Sequence, residues 1–171
     1  MEVNMQLHLP LHRWHARAPD WRAAIASGLV AGATLMVLEL FWSMTSLGTS
    51  PWVVSHKIAA ISMGSTVLQS SEFDAGIVTV ALITHYILGV VFALVIAALI
   101  ESFHWGTRPG TVLFAGGVFG LVLYLFNFFV MVEVFPWFAE MRSWAAVMGH
   151  LLFGMIASGM YLQLARHQST P

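Results

Sequence analysis

Residues 75–100 read AGIVTVALITHYILGVVFALVIAALI, an unbroken apolar run without one Asp, Glu, Lys or Arg and with a single imidazole, His85, near its middle. About 20 predominantly apolar residues suffice for a helix to cross the hydrocarbon of a bilayer, so this stretch is a membrane span. Ionisable groups in hydrocarbon are rare, because losing their hydration is costly unless they find partners. His85 has a twin in Gly149-His150-Leu151-Leu152-Phe153-Gly154. The two imidazoles therefore head the candidate site residues.

Working outward from that span, three more runs have the same character. Residues 23–42 form the first, interrupted only by Glu39, and residues 111–132 and 144–164 form the third and fourth. The first is too long for a signal-peptide core, so it reads as an uncleaved anchor. Gly106, Arg108, Pro109 and Gly110 make a tight turn before the third span, and Pro136 marks the loop before the fourth. Between the first two spans, Ser50-Pro51 is a good N-cap and first-turn pair, which predicts a short helix over 51–63. That segment is too short to cross, and an interfacial helix is expected. Residues 1–22 form a polar tail carrying His8, His12 and His15 that ends in the helix start Pro19-Asp20, and residues 167–171 form a second tail.

Composition agrees. With 58% hydrophobic and only 9% charged residues, there is too little polar material to coat a soluble globule. The formal charge of −1 and the scattering of seven basic residues give nucleic-acid binding no electrostatic basis. Cysteine is absent, which excludes disulfides, thiolate metal sites and a cysteine nucleophile. The fold expected is all-α and integral to the membrane, with four transmembrane helices over 23–166 and the lipid bilayer as its main partner. Arg13, Arg17, Arg22, Arg108 and Arg166 fall on one side of a four-span arrangement, and only Lys57 and Arg142 on the other. The basic-rich side is expected to be cytoplasmic, with both termini inside.

An internal repeat organises the spans. Gly28 and Gly32 are followed by Glu39, and at the same spacing Gly116 and Gly120 are followed by Asn127. His85 with Gly89 matches His150 with Gly154. The chain thus reads as two tandem helical hairpins, with the extra short helix inserted in the first, related by an axis along the membrane normal. Spacings of 4, 7 and 11 keep these residues on one helix face. The glycines would let backbones approach closely in the cytoplasmic half. Glu39, His85, Asn127 and His150 would then wall a polar pocket in the outer half.

Three chemistries fit such a pocket. Glu39 could pair with a histidine and handle protons or a cation. His85, His150 and Glu39, with His56 as a fourth ligand, form a donor set for a divalent metal. His85 and His150 could hold a b-type haem, with Gly89 and Gly154 leaving room for the ring. The rival expectation is a scaffold or accessory subunit, a homo-oligomer or part of a larger membrane complex, whose polar residues only fix helix register. No phosphate loop, Ser/His/Asp arrangement or paired carboxylates appear, so an enzyme is not the favoured reading.

The stretches from Ile83-Thr84-His85-Tyr86-Ile87 to Glu101 and from Met148-Gly149-His150-Leu151-Leu152 to Arg166 resemble spans of the YagU-like small inner-membrane proteins. The resemblance implies a bacterial inner-membrane location and a four-helix architecture, and it carries over no catalytic residues.

Overall fold

The computed structural model describes residues 18–46, 48 and 50–168. His8, His12, His15, Arg13 and Arg17 lie outside the described residues. Five helices form: α1 (Trp21–Ser46), α2 (Pro51–Met63), α3 (Ala75–Ser102), α4 (Pro109–Leu125) and α5 (Trp144–Gln168), and there is no strand among the described residues. The starts follow local chemistry. A helix leaves its first N–H groups without partners, and a side-chain oxygen just upstream can take one. Asp20 accepts from the Ala23 N–H (3.0 Å), Ser50 from Trp52 (3.3 Å), Asp74 from Ile77 (2.9 Å) and Ser143 from Ala146 (3.0 Å). Pro109 opens α4, where its missing N–H costs nothing. Gly64 ends α2 in the left-handed region at φ 85°, with its N–H on the Ala60 carbonyl.

Four segments are long and apolar enough to cross a membrane: Trp21–Thr45, Ala75–Ser102, Pro109–Glu133 and Trp144–Ala165. Their outward faces carry Val37, Phe41, Ile83, Ile87, Phe114, Val122 and Phe129, all exposed. In water such a surface would aggregate, and in lipid it is the expected one. This is a multi-pass membrane protein.

The third span is not α-helical to its end. After Leu125 the chain widens into a π turn, Phe126–Val130, then tightens to a 3₁₀ turn, Met131–Glu133. Turns of this kind inside helices often mark functional positions. Here the Phe128 carbonyl accepts from Arg142 Nε (2.8 Å), whose guanidinium also lies 4.6 Å from the Phe129 ring centre. A second 3₁₀ segment, Pro136–Met141, leads toward α5.

In the bundle, α3 packs on α1, α1 on α5 and α5 on α4, while α3 and α4 barely touch. An axis along the membrane normal would exchange the α1–α5 contact with an equal α4–α3 contact. The two hairpins are therefore not related by a twofold. The end near Arg22 and Arg108 is solid: Ala24, Ala93, Ala97, Ile100, Val112 and Ala157 are fully buried. There the Tyr161 hydroxyl donates to Glu101 Oε1 (2.9 Å) and accepts from the Asp20 N–H (3.2 Å), joining three helices. The opposite end is hollow.

Candidate functional site

Backbone approach explains the solid half. A Cβ added to Gly28 would stand 2.8 Å from the Gly89 carbonyl oxygen and from Val90 Cα, so α1 and α3 meet backbone to backbone. Across α4 and α5 the approach is closer still. A Cβ on Gly120 would fall on the His150 carbonyl oxygen, one on Gly116 on the Gly154 carbonyl, and one on Gly154 on the Gly116 carbonyl. Gly32 differs from the other five. A Cβ there would meet only side-chain atoms of His85 and Tyr86 at 3.8 to 3.9 Å, an ordinary contact.

The hollow half holds a cavity of about 220 Å³. Glu39 of α1, His85 of α3, Asn127 of the π turn and His150 of α5 all line it, together with Lys57 of α2. The remaining wall is apolar, with Phe92, Phe126, Phe128, Phe135, Phe138 and Phe153 among its members. Helices α3 and α4, which do not close on one another, each supply part of it. Two connecting segments are strapped together beside it: Lys57 Nζ pairs with Glu140 Oε2 at 2.8 Å, and Trp137 Nε1 donates to the Lys57 carbonyl at 3.0 Å. Lys57 is mostly covered and Glu140 mostly exposed.

Both histidines are tied to neighbours, and the geometry assigns their protons. A carbonyl can only accept, so His85 Nε2 carries the hydrogen it gives to the Gly32 carbonyl (2.9 Å), a bond from α3 to α1. His150 Nδ1 donates to the Ala146 carbonyl (2.8 Å), which leaves Nε2 to accept from Asn127 Nδ2 (3.3 Å), a bond from α5 to α4. The His150 ring is buried between Tyr124 and Phe128, with centroids 5.8 and 5.5 Å away. Neighbouring Thr84 shares a 2.8 Å hydrogen bond with Ser62 of α2. Interhelical bonds of this kind contribute about 1 kcal/mol each.

Glu39 has no such tie. Among the described residues its carboxylate has no hydrogen-bond or ion-pair partner, and neither imidazole stands within ion-pair distance of it. A cavity-lining carboxylate in a membrane span without a protein donor is the unusual group here, because buried polar groups are normally satisfied. Lys57 does not neutralise it, being paired with Glu140.

The four metal-ligand candidates are not brought together. His56 lies outside the cavity wall, 1% exposed, with Nδ1 donating to the Trp52 carbonyl (2.8 Å) and Nε2 without a partner among the described residues. No group of three His, Asp or Glu side chains suited to a metal ion occurs among the described residues. The two cavity histidines also present different nitrogens. His150 keeps Nε2 as its acceptor with Nδ1 tied to a carbonyl, the usual arrangement of an axial ligand, whereas His85 has its Nε2 committed to Gly32.

Sequence reasoning missed Lys57 and the wall contributed by Phe135, Phe138 and Met141. Lys57 and Glu140 are 83 positions apart, and nothing local announces their pairing. No family model matches the chain, and neither a curated protein nor a solved structure matches it.

Proposed function

We propose that this protein handles a cation, with proton exchange at Glu39, in the cavity between its four spans. The observation that carries the reading is the Glu39 carboxylate, which lines the cavity and has no partner among the described residues. A negative charge in so apolar a setting requires a compensating proton or cation, and charge counting gives the same sign: Lys57 and Glu140 cancel, leaving Glu39. The other titratable groups on the cavity wall are Lys57 of α2, His85 of α3 and His150 of α5. The histidines act in this reading as positioning groups that fix α3 on α1 and α5 on α4, and so set the cavity's width.

The setting proposed is the bacterial inner membrane, as the resemblance to YagU-like proteins implies. In the sequence, Arg13, Arg17, Arg22, Arg108 and Arg166 against Lys57 and Arg142 support cytoplasmic termini, an outward-facing cavity and an interfacial α2. The matching Gly-Gly-Glu and Gly-Gly-Asn spacings support descent from a duplicated hairpin.

The test is a proton titration of purified protein in weakly buffered detergent. Wild type exchanges one more proton than Glu39→Gln. Identical curves would remove the reading. One observation favours a scaffold instead: both cavity histidines are engaged in helix-to-helix bonds. A scaffold has identical titration curves and loses association with its partner when those bonds are cut.

A further inference from the structure

We infer that the cation taken by this cavity is an organic ammonium with apolar or aromatic substituents. The inference rests on the reading of Glu39 as a cation-handling carboxylate and adds the class of cation.

Three features of the wall decide between classes. An inorganic cation needs a shell of oxygens, six or more for a hard divalent ion. The cavity offers the Glu39 carboxylate and the Asn127 amide as its side-chain oxygens, and no three ligands converge among the described residues. A neutral carbonyl-bearing ligand such as a quinone needs donors. The ring N–H groups of His85 and His150 are already given to the Gly32 and Ala146 carbonyls, one Asn127 N–H goes to His150 and the Lys57 ammonium is held by Glu140, which leaves the second Asn127 N–H and the other Lys57 N–H groups as the wall's donors. With the Lys57 charge balanced by Glu140, the unbalanced charge is on an acceptor: both Glu39 oxygens, beside Asn127 Oδ1 and His85 Nδ1, have no partner among the described residues.

The rest of the wall is aromatic. Phe92, Phe126, Phe128, Phe135, Phe138 and Phe153 line a volume of about 220 Å³. Ring faces attract cations electrostatically, most strongly where water is excluded, and they take up the apolar substituents of an organic ammonium at the same time. A carboxylate for the charge, rings for its substituents and few ligating oxygens together describe a site for a bulky, weakly hydrated cation. A strongly hydrated one would leave its water shell for too few oxygens.

The experiment is calorimetric titration of the full chain in detergent with benzyltrimethylammonium, empty micelles serving as the blank. A quaternary probe keeps its charge whatever the protonation of Glu39. Neopentylbenzene, in which carbon replaces the charged nitrogen, is the neutral control, and sodium and magnesium chlorides are the inorganic ones. The expected result is saturable binding of the ammonium alone, with proton release on binding. Glu39→Gln weakens it at least about tenfold, as loss of an unscreened charge partner does, and Phe92→Leu or Phe135→Leu weakens it roughly two- to fivefold each. Circular dichroism of each variant verifies that it is folded, and the two phenylalanine variants keep the inference testable should Glu39→Gln fail to fold. Equal binding of the neutral analogue, or undiminished binding by Glu39→Gln, would overturn the inference. Absent ammonium binding with Glu39-dependent proton exchange intact would overturn the cation class and leave the parent reading standing. Absence of both would end both.

Discussion

Replacing Gly120 by alanine should destabilise the bundle, whereas the same change at Gly32, its counterpart in the first span, should not. A Cβ on Gly120 would fall on the His150 carbonyl oxygen, with the carbonyl carbon 2.7 Å and Leu151 Cα 3.1 Å away. Non-bonded carbons settle at about 3.5–4.0 Å, so α4 and α5 must part locally by roughly 1 Å. Both obstacles are backbone, so no side-chain rotation relieves the clash. Overpacking of this kind costs about 1–3 kcal/mol, offset by the ~0.5–1 kcal/mol that alanine gains over glycine inside a helix. Parting the helices also breaks the Asn127–His150 bond, already long at 3.3 Å. That bond lies about two turns further along the third span and contributes ~0.6–1 kcal/mol, which brings the net loss to roughly 1–3 kcal/mol. At Gly32 the nearest atoms stand at 3.8 Å, so only the alanine gain remains, about 0.5–1 kcal/mol in favour of the variant. Equilibrium unfolding in mixed dodecylmaltoside and SDS micelles, followed by helical circular dichroism, measures both. A Gly120→Ala protein as stable as wild type, or a Gly32→Ala protein as damaged as Gly120→Ala, would refute the reasoning.

Other consequences are smaller but equally checkable. Arg142→Met removes the donor to the Phe128 carbonyl and the contact with Phe129, and because Arg142 is exposed the loss in the same unfolding assay should be about 1 kcal/mol. A double-mutant cycle on Lys57→Met and Glu140→Gln should give a coupling of at most ~1 kcal/mol that shrinks in high salt, since Glu140 is open to solvent. A coupling well above that would mean the strap is shielded. Asn127→Ala leaves the buried His150 Nε2 without its donor and should cost roughly 1–2 kcal/mol, with Asn127→Gln recovering part of it.

How much of this was legible in the sequence follows from what is local. The spans were readable because apolar length is local, and the starts at Asp20 and Ser50 because capping needs only two or three residues. Convergence of Glu39, His85, Asn127 and His150 on one cavity could be framed from helix periodicity and depth. The partners could not. Whether His85 meets a carboxylate or a carbonyl depends on the rotation of α3 against α1, and the outcome was the Gly32 carbonyl. The difference between Gly32 and Gly120 lies in how closely two pairs of helices cross, which identical spacing cannot convey. The π turn at Phe126–Val130 has no pattern of its own, and it places Asn127 and Phe128 on the cavity wall beyond the end of α4. The interest of the site also moved. The histidines stand out as ionisable groups in hydrocarbon, yet each is tied into a helix-to-helix hydrogen bond, and among the described residues the carboxylate of the first span has no partner.

The most direct test of that point is labelling with dicyclohexylcarbodiimide, an apolar reagent that reacts with carboxyl groups held in apolar surroundings, followed by peptide mass mapping. Glu39 should be modified, benzyltrimethylammonium should protect it, and Glu101, whose Oε1 accepts from Tyr161 at 2.9 Å, should react far more slowly. An unmodified Glu39 in protein whose other carboxyls are labelled would contradict the account.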